Sequence, residues 1–126
     1  MYEKKNFTLL RCPIEKGLSM LGGKWKSRIL CVLAQQGSIR YGQFKQEMTN
    51  ITDTALSSAL KELIQDGLVN RKQYNEVPLR VEYELTSYGL AAVRLLRQIA
   101  NWADGSIPTE LSRGEMPLCL SCDFND

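Results

Sequence analysis

Residues 41–66 read YGQFKQEMTNITDTALSSALKELIQD, and residues 67–85 continue GLVNRKQYNEVPLRVEYEL. In the first stretch Phe44 and Met48 recur at i,i+4, which marks a short helix from Tyr41 to Met48. Thr49-Asn50-Ile51-Thr52 interrupts that period, and Thr52 is suited to cap a second helix. From Asp53 to Asp66 the apolar positions Leu56, Ala59, Leu60, Leu63 and Ile64 trace one face of that helix, and Gly67 closes it. The period then changes from helical to two-residue. Val81, Tyr83 and Leu85 alternate with Arg80, Glu82 and Glu84, as in a half-buried strand. Val69–Tyr74 can pair with it across the loop Asn75-Glu76-Val77-Pro78-Leu79 to make a hairpin.

Outward from this unit the chain is helical on both sides. Pro13 suits a first helical position, Ile14, Leu18 and Leu21 recur at helical spacing, and Gly22-Gly23 ends the element. A helix from about Lys24 to Gln36 buries Trp25, Ile29, Leu30 and Leu33, with Lys24, Lys26 and Arg28 largely off that stripe and Gly37 as its stop. Residues 38–40 are short enough for a small strand. Downstream, Thr86 can cap a long helix from about Ser87 to Asp104. The expected class is α+β, mostly α: a winged helix-turn-helix with a β-hairpin wing and flanking N- and C-terminal helices. Its divisions are an arm at 1–11, the domain at 12–104, and an irregular tail at 105–126 punctuated by Pro108, Gly114 and Pro117.

Composition narrows the function. The 126 residues fit one domain, and 44% hydrophobic content permits a core. No apolar run approaches the ~18 residues that span a bilayer. Met1-Tyr2-Glu3-Lys4-Lys5-Asn6 is charged with no long apolar stretch behind it, so neither a signal peptide nor a membrane partner is expected, and a cytoplasmic location is. Net charge is only +2, but residues 24–80 hold nine Lys/Arg against five Asp/Glu, while the remainder holds seven against nine. The middle of the chain is the part that could face phosphates. There is no histidine, which removes Ser-His and Cys-His pairs and His-containing metal sites. No catalytic residue, metal or cofactor is expected.

Two short helices joined by a tight turn place the second where it can enter a major groove, which is about 12 Å wide. The groove face of the helix opening at Thr52 should carry Asp53, Thr54, Ser57, Ser58 and Lys61, opposite Leu56, Leu60 and Leu63. Helix N-terminal amides at 52–54 suit a phosphate. Arg80, at the base of the wing, is a candidate for a backbone or minor-groove contact, and Lys24, Lys26 and Arg40 are candidate phosphate clamps. One such domain reads few base pairs, so a homodimer gripping two half-sites of double-stranded operator DNA is expected. Leu90, Val93, Leu95, Leu96, Ile99 and Trp102 are the candidate dimer residues, because the last helix has more apolar surface than a small core needs.

Cys12-Pro13-Ile14-Glu15, Gly22-Gly23-Lys24-Trp25 and Arg40-Tyr41-Gly42-Gln43-Phe44 occur in that order, followed by Asp66-Gly67-Leu68-Val69, Arg71, Tyr74, Pro78, Arg80-Val81-Glu82-Tyr83, Leu85-Thr86 and Gly89. This series resembles the HxlR-type (MarR-like) regulators over roughly residues 10–104. The resemblance implies a winged-helix fold, a homodimer built from the terminal helices, and bacterial transcriptional control. Similar chains often carry Lys or Arg near the start of the recognition helix, where this one has Asp53 and Thr54. Some use a cysteine at the place of Cys12 to sense oxidants or electrophiles. Cys12 stands where an N-cap would, and a helix N-terminus favours a thiolate. An oxidant or small-molecule effector therefore belongs with the expected partners.

Two other readings stay open. Cys119-Leu120-Ser121-Cys122 is a C-x-x-C, which offers partner thiols for Cys12 or, alone, a thiol oxidoreductase without a βαβ context. The weak charge of the recognition helix would also fit a winged helix used only for protein contact.

Overall fold

Helix starts and stops in this chain are written by a few residues, and the computed structural model, which describes residues 12–106, shows each at work. Helix α1, Pro13–Leu21, begins with Pro13 in its first turn after an extended Cys12. α2 is Lys26–Gln36, and Gly37 ends it at φ +87°, its N–H donating to Leu33 O at 2.9 Å. Only glycine takes that conformation without strain. α3 is Tyr41–Glu47, and α4 is Asp53–Gln65. The Thr52 hydroxyl accepts from the Ala55 amide at 3.1 Å, the N-cap expected from the sequence.

Strands β1, Val69–Tyr74, and β2, Arg80–Leu85, pair antiparallel from Val69↔Leu85 to Tyr74↔Arg80. Ile39 adds one rung, exchanging both backbone hydrogen bonds with Tyr83 at 3.0 and 2.8 Å, so the small strand expected at 38–40 is a single bridge. α5 runs Ser87–Ser106. Thr86 joins its start to the end of α4: the hydroxyl donates to Gly67 O at 2.7 Å and accepts from the Gly89 amide at 2.9 Å.

The core collects Ile29, Leu30 and Leu33 of α2, Phe44 of α3, Leu56, Leu60 and Leu63 of α4, Leu68 and Val69, and Val93 of α5. The Phe44 ring meets Tyr83 edge-on at 5.9 Å. Burying a side chain of that size contributes about 1.5–3 kcal/mol. α3, too short to persist alone, is held in place by Phe44 and Met48, both fully buried. The α3–turn–α4 unit is thus mounted on the same core as the hairpin.

Three expectations change. α2 begins at Lys26 rather than Lys24, because Gly22-Gly23 and the Trp25 cap occupy the joint. Lys26 lies inside the fold, 7% exposed, instead of off the buried stripe. α5 continues two residues beyond Asp104. The arm at 1–11 and the tail beyond 106, with Cys119 and Cys122, lie outside the described residues. Among the described residues no helix is long and apolar enough to cross a membrane.

Candidate nucleic-acid interface

α4 separates its residues cleanly. Leu56, Ala59, Leu60 and Leu63 are buried, while Asp53, Thr54, Ser57, Ser58 and Lys61 are all exposed. At 100° per residue those five span an arc of roughly 140° centred near Lys61. This is the polar face that the sequence indicated, and it is one helix wide.

The acidic start of α4 has a partner that sequence reading missed. Lys45, on α3, donates to Asp53 Oδ1 at 2.7 Å, and the Tyr41 hydroxyl donates to Asp53 O at 3.1 Å. The Lys45 hydrogen bond and charge hold the Asp53 carboxyl below its ordinary range, and the same bond raises Lys45. Burial, reinforced by the Asp53 charge, raises the Tyr41 phenol. A lysine therefore does stand at the mouth of α4, supplied by the preceding helix. The signal lay in the eight-residue spacing across a turn, which becomes readable only once the turn geometry is known.

The proposed phosphate clamps divide. Lys24 is exposed, with its ammonium 4.9 Å from the centre of the Trp25 ring, and Arg28 lies equally close to the same ring. Arg40 is exposed as well, with its amide bound to Gln43 Oε1 at 2.9 Å. Lys26 departs from expectation. Its ammonium pairs with Glu62 of α4, the two side chains being 8% and 12% exposed. It ties α2 to the inner flank of α4 and does not reach outward. Above this pair lies an open cleft of about 540 Å³, between Gly22–Lys26 and Ala55, Ser58 and Ala59.

Arg80 also departs from expectation. Its Nε and Nη2 donate to Glu76 at 3.2 and 2.8 Å, and its Nη1 donates to Glu82 at 2.7 Å. The guanidinium lies 3.8 Å over the Tyr74 ring. Two carboxylates answer one cation, raising its pKa through the Glu76 bond first. Both acids were visible in the sequence, at i−4 and at i+2 on the same strand face, and could have warned against counting Arg80 as free charge. Lys72 is likewise taken by Glu84 at 3.0 Å, which lowers the Glu84 carboxyl.

The residues named for pairing of chains split across α5. Val93 is a core residue at 3% exposure, and Leu96 packs against the core. Leu95, Ile99 and Trp102 are exposed, together with Tyr88, and the four share one stripe at i, i+7, i+11 and i+14. Leu90, also exposed, lies on another side of the helix. Ile14 and Leu18 of α1 are 71% and 64% exposed. Between α1 and α5 is an apolar hollow of about 200 Å³, lined by Met20, Leu21, Tyr88 and Leu95. Cys12 is exposed at the start of α1. Among the described residues no cluster of His, Cys, Asp or Glu could hold a metal ion.

The model of a family described as HxlR-like helix-turn-helix matches residues 20–111. The uncharacterized HTH-type transcriptional regulator YdzF of Bacillus subtilis (strain 168) is 42% identical over 92 residues, covering 73% of this chain and 84% of that one. Among solved structures, the redox regulator HypR in its oxidized form superposes with a TM-score of 0.70 at 34% identity, covering 78% of this chain and 100% of its own. The reduced form of the transcriptional regulator YodB from B. subtilis superposes with a TM-score of 0.70 at 33% identity, covering 77% and 95%.

Proposed function

The chain belongs to the HxlR-like helix-turn-helix family and is a transcriptional regulator, not an enzyme, and from that premise we propose that it binds operator DNA as a homodimer through α4 and the wing. The observation that carries this reading is the continuous exposed arc Asp53, Thr54, Ser57, Ser58 and Lys61 on a helix capped by Thr52 and fixed to the core by its opposite face. Hydroxyls on such an arc can bond to bases or phosphates, and Lys61 can neutralise a phosphate.

A second copy of the chain is the proposed occupant of the α1–α5 surface. The stripe Tyr88, Leu95, Ile99 and Trp102, with Ile14 and Leu18, is too apolar to be left in water, and it adjoins the hollow between the two helices. A two-fold pair would present two α4 helices to half-sites about 34–36 Å apart.

Cys12 is the proposed sensor, being exposed at the start of α1, two residues before Ile14. Oxidation or alkylation there would change how two copies meet, and so the spacing of their recognition helices. That HypR is a redox regulator supports the idea by analogy. The test is fluorescence anisotropy against duplex DNA from the gene's own upstream region, at two salt concentrations, with reduced and diamide-treated protein. Salt-dependent binding that changes on oxidation in the parent chain and not in Cys12→Ser is the expected result. Binding indifferent to oxidation removes the sensor. No specific binding in either state removes the operator reading in favour of a protein-contact module.

A further inference from the structure

The wing carries three cations, Arg71, Lys72 and Arg80, and the hairpin register sorts them. Arg71 stands opposite Tyr83, so it lies on the face of the hairpin that Val69, Val81 and Leu85 also occupy. That face looks toward α3 and α4, since the Tyr83 ring packs against Phe44. Lys72 and Arg80 lie on the other face, where they meet Glu84, Glu76 and Glu82. Their charge is cancelled within the hairpin. Among the described residues Arg71 has only a neutral contact, Nη1 donating to Gln73 Oε1 at 3.3 Å, which orients the guanidinium without neutralising it. Lys61, across from it on α4, is exposed and pairs with no carboxylate among the described residues.

These two unneutralised cations open into one cleft. It measures about 270 Å³ and lies between α4 and the hairpin, with Ser57, Gln65, Tyr41 and Tyr83 completing its walls. That is below the roughly 300–1,000 Å³ typical of sites for drug-sized ligands. It is open to solvent at the flank of the polar arc of α4. A helix lying in a major groove has a phosphate ridge beside each flank. We propose that this cleft seats a backbone phosphodiester of bound DNA, held by Lys61 and Arg71, with the Ser57 hydroxyl and the Gln65 amide as further donors. Arg71, rather than Arg80, is then the wing's affinity-determining cation. The proposal rests on the operator-binding reading above and adds which charges hold the backbone on the wing side.

The test measures the salt dependence of binding by the full chain to upstream duplex and to unrelated duplex. Each phosphate contact contributes about 0.9 to the slope of log K against log salt. The double variant Arg71→Gln, Lys61→Gln should lower that slope by about 0.9, which is a loss of about eightfold at 0.1 M salt that closes toward 1 M, and each single variant should lower it by part of that. The loss should be equal on both duplexes, because a phosphate contact carries no sequence information. Arg71→Lys should keep the slope, and Arg80→Gln should leave it unchanged. A methylphosphonate scan of the upstream duplex should find one phosphate whose neutralisation weakens the parent chain and not the double variant. Lys61 and Arg71 are both exposed, so unchanged circular dichroism and Tm are expected for their variants. If the parent chain shows no salt-dependent DNA binding, the operator reading itself falls. If the parent binds with its slope intact in Arg71→Gln, or the slope drops only in Arg80→Gln, the phosphate seat alone is overturned.

Discussion

Replacing Lys26 with methionine should destabilise the domain far more than any other lysine substitution. The Lys26 and Glu62 side chains are 8% and 12% exposed and paired with each other, so removing the ammonium strands a carboxylate that water barely reaches. Breaking a buried pair from one side costs about 3–5 kcal/mol. A domain of this size has a total stability of about 5–15 kcal/mol, so the change would consume a large share of it. Glu62→Gln should cost less, because the amide oxygen can still accept from Lys26. The double variant Lys26→Met, Glu62→Leu should recover most of the loss, since an apolar pair of similar volume avoids desolvating two charges. Urea unfolding of the parent, Lys26→Met, Glu62→Leu and their double variant closes the double-mutant cycle, with an expected coupling of at least about 2 kcal/mol. Repeating it in 1 M salt should change little, because screening acts weakly on buried pairs. A Lys26→Met penalty under about 1 kcal/mol, or a coupling that vanishes in salt, would place the pair among solvated surface bridges and refute the reasoning.

Gly89→Ala should destabilise by about 1–3 kcal/mol or more, because a methyl there runs into the Leu68 carbonyl where α5 crosses the start of β1. A Tm drop of several degrees in thermal melts is the expected readout, and an unchanged Tm would contradict that close approach. Asp53→Asn should remove a contribution that is complete above the ordinary carboxylate value of 3.8, fades as pH falls through the lowered folded value, and at the alkaline end fades as pH rises past 10.5 through the raised Lys45 value. Urea titrations across pH should show the two proteins converging at both extremes, and a difference independent of pH would disprove the pairing. Leu95→Asp with Ile99→Asp should yield monomers by sedimentation while Leu90→Asp does not, since only the first two lie on the exposed α5 stripe; dimers persisting in the double variant would move the interface elsewhere.

Where local sequence decides structure, the reading from sequence and the fold agree. Thr52 and Thr86 cap, Gly37 and Gly67 terminate, and the switch from Leu56-Ala59-Leu60-Leu63 to Val81-Tyr83-Leu85 marks helix and strand, because each depends on residues within one or two turns. Long-range pairing was not legible. Lys26 looked like an outward lysine because its partner is 36 positions away on another helix, and no periodicity couples them. Lys45 was overlooked for the same reason across the turn to Asp53. Arg80 is a different lapse: its acids are two and four residues away, and the alternation of the strand already placed Glu82 beside it. The α5 residues were separable by their helical angles, which put Val93 and Leu96 inward and Leu95, Ile99 and Trp102 outward.

The small net charge of the chain is better understood as directed than as weak. A polyanion is attracted by the cations left over after a fold has paired its own, not by the formal sum. On the outer face of the wing, Lys72 and Arg80 meet Glu84, Glu76 and Glu82, and that face has little field to offer. At the mouth of α4 the pair Lys45–Asp53 cancels too, but it is exposed and screened, so a phosphate could compete for the lysine. Lys61 and Arg71 remain beside the polar arc on the wing flank, and Lys24 stands near the opposite flank at the Gly22–Lys26 joint. The buried Lys26–Glu62 pair is what holds that joint against α4. Among the described residues Lys24, Lys61 and Arg71 thus flank both edges of α4, a distribution that would align a helix in a groove bordered by two rows of phosphates.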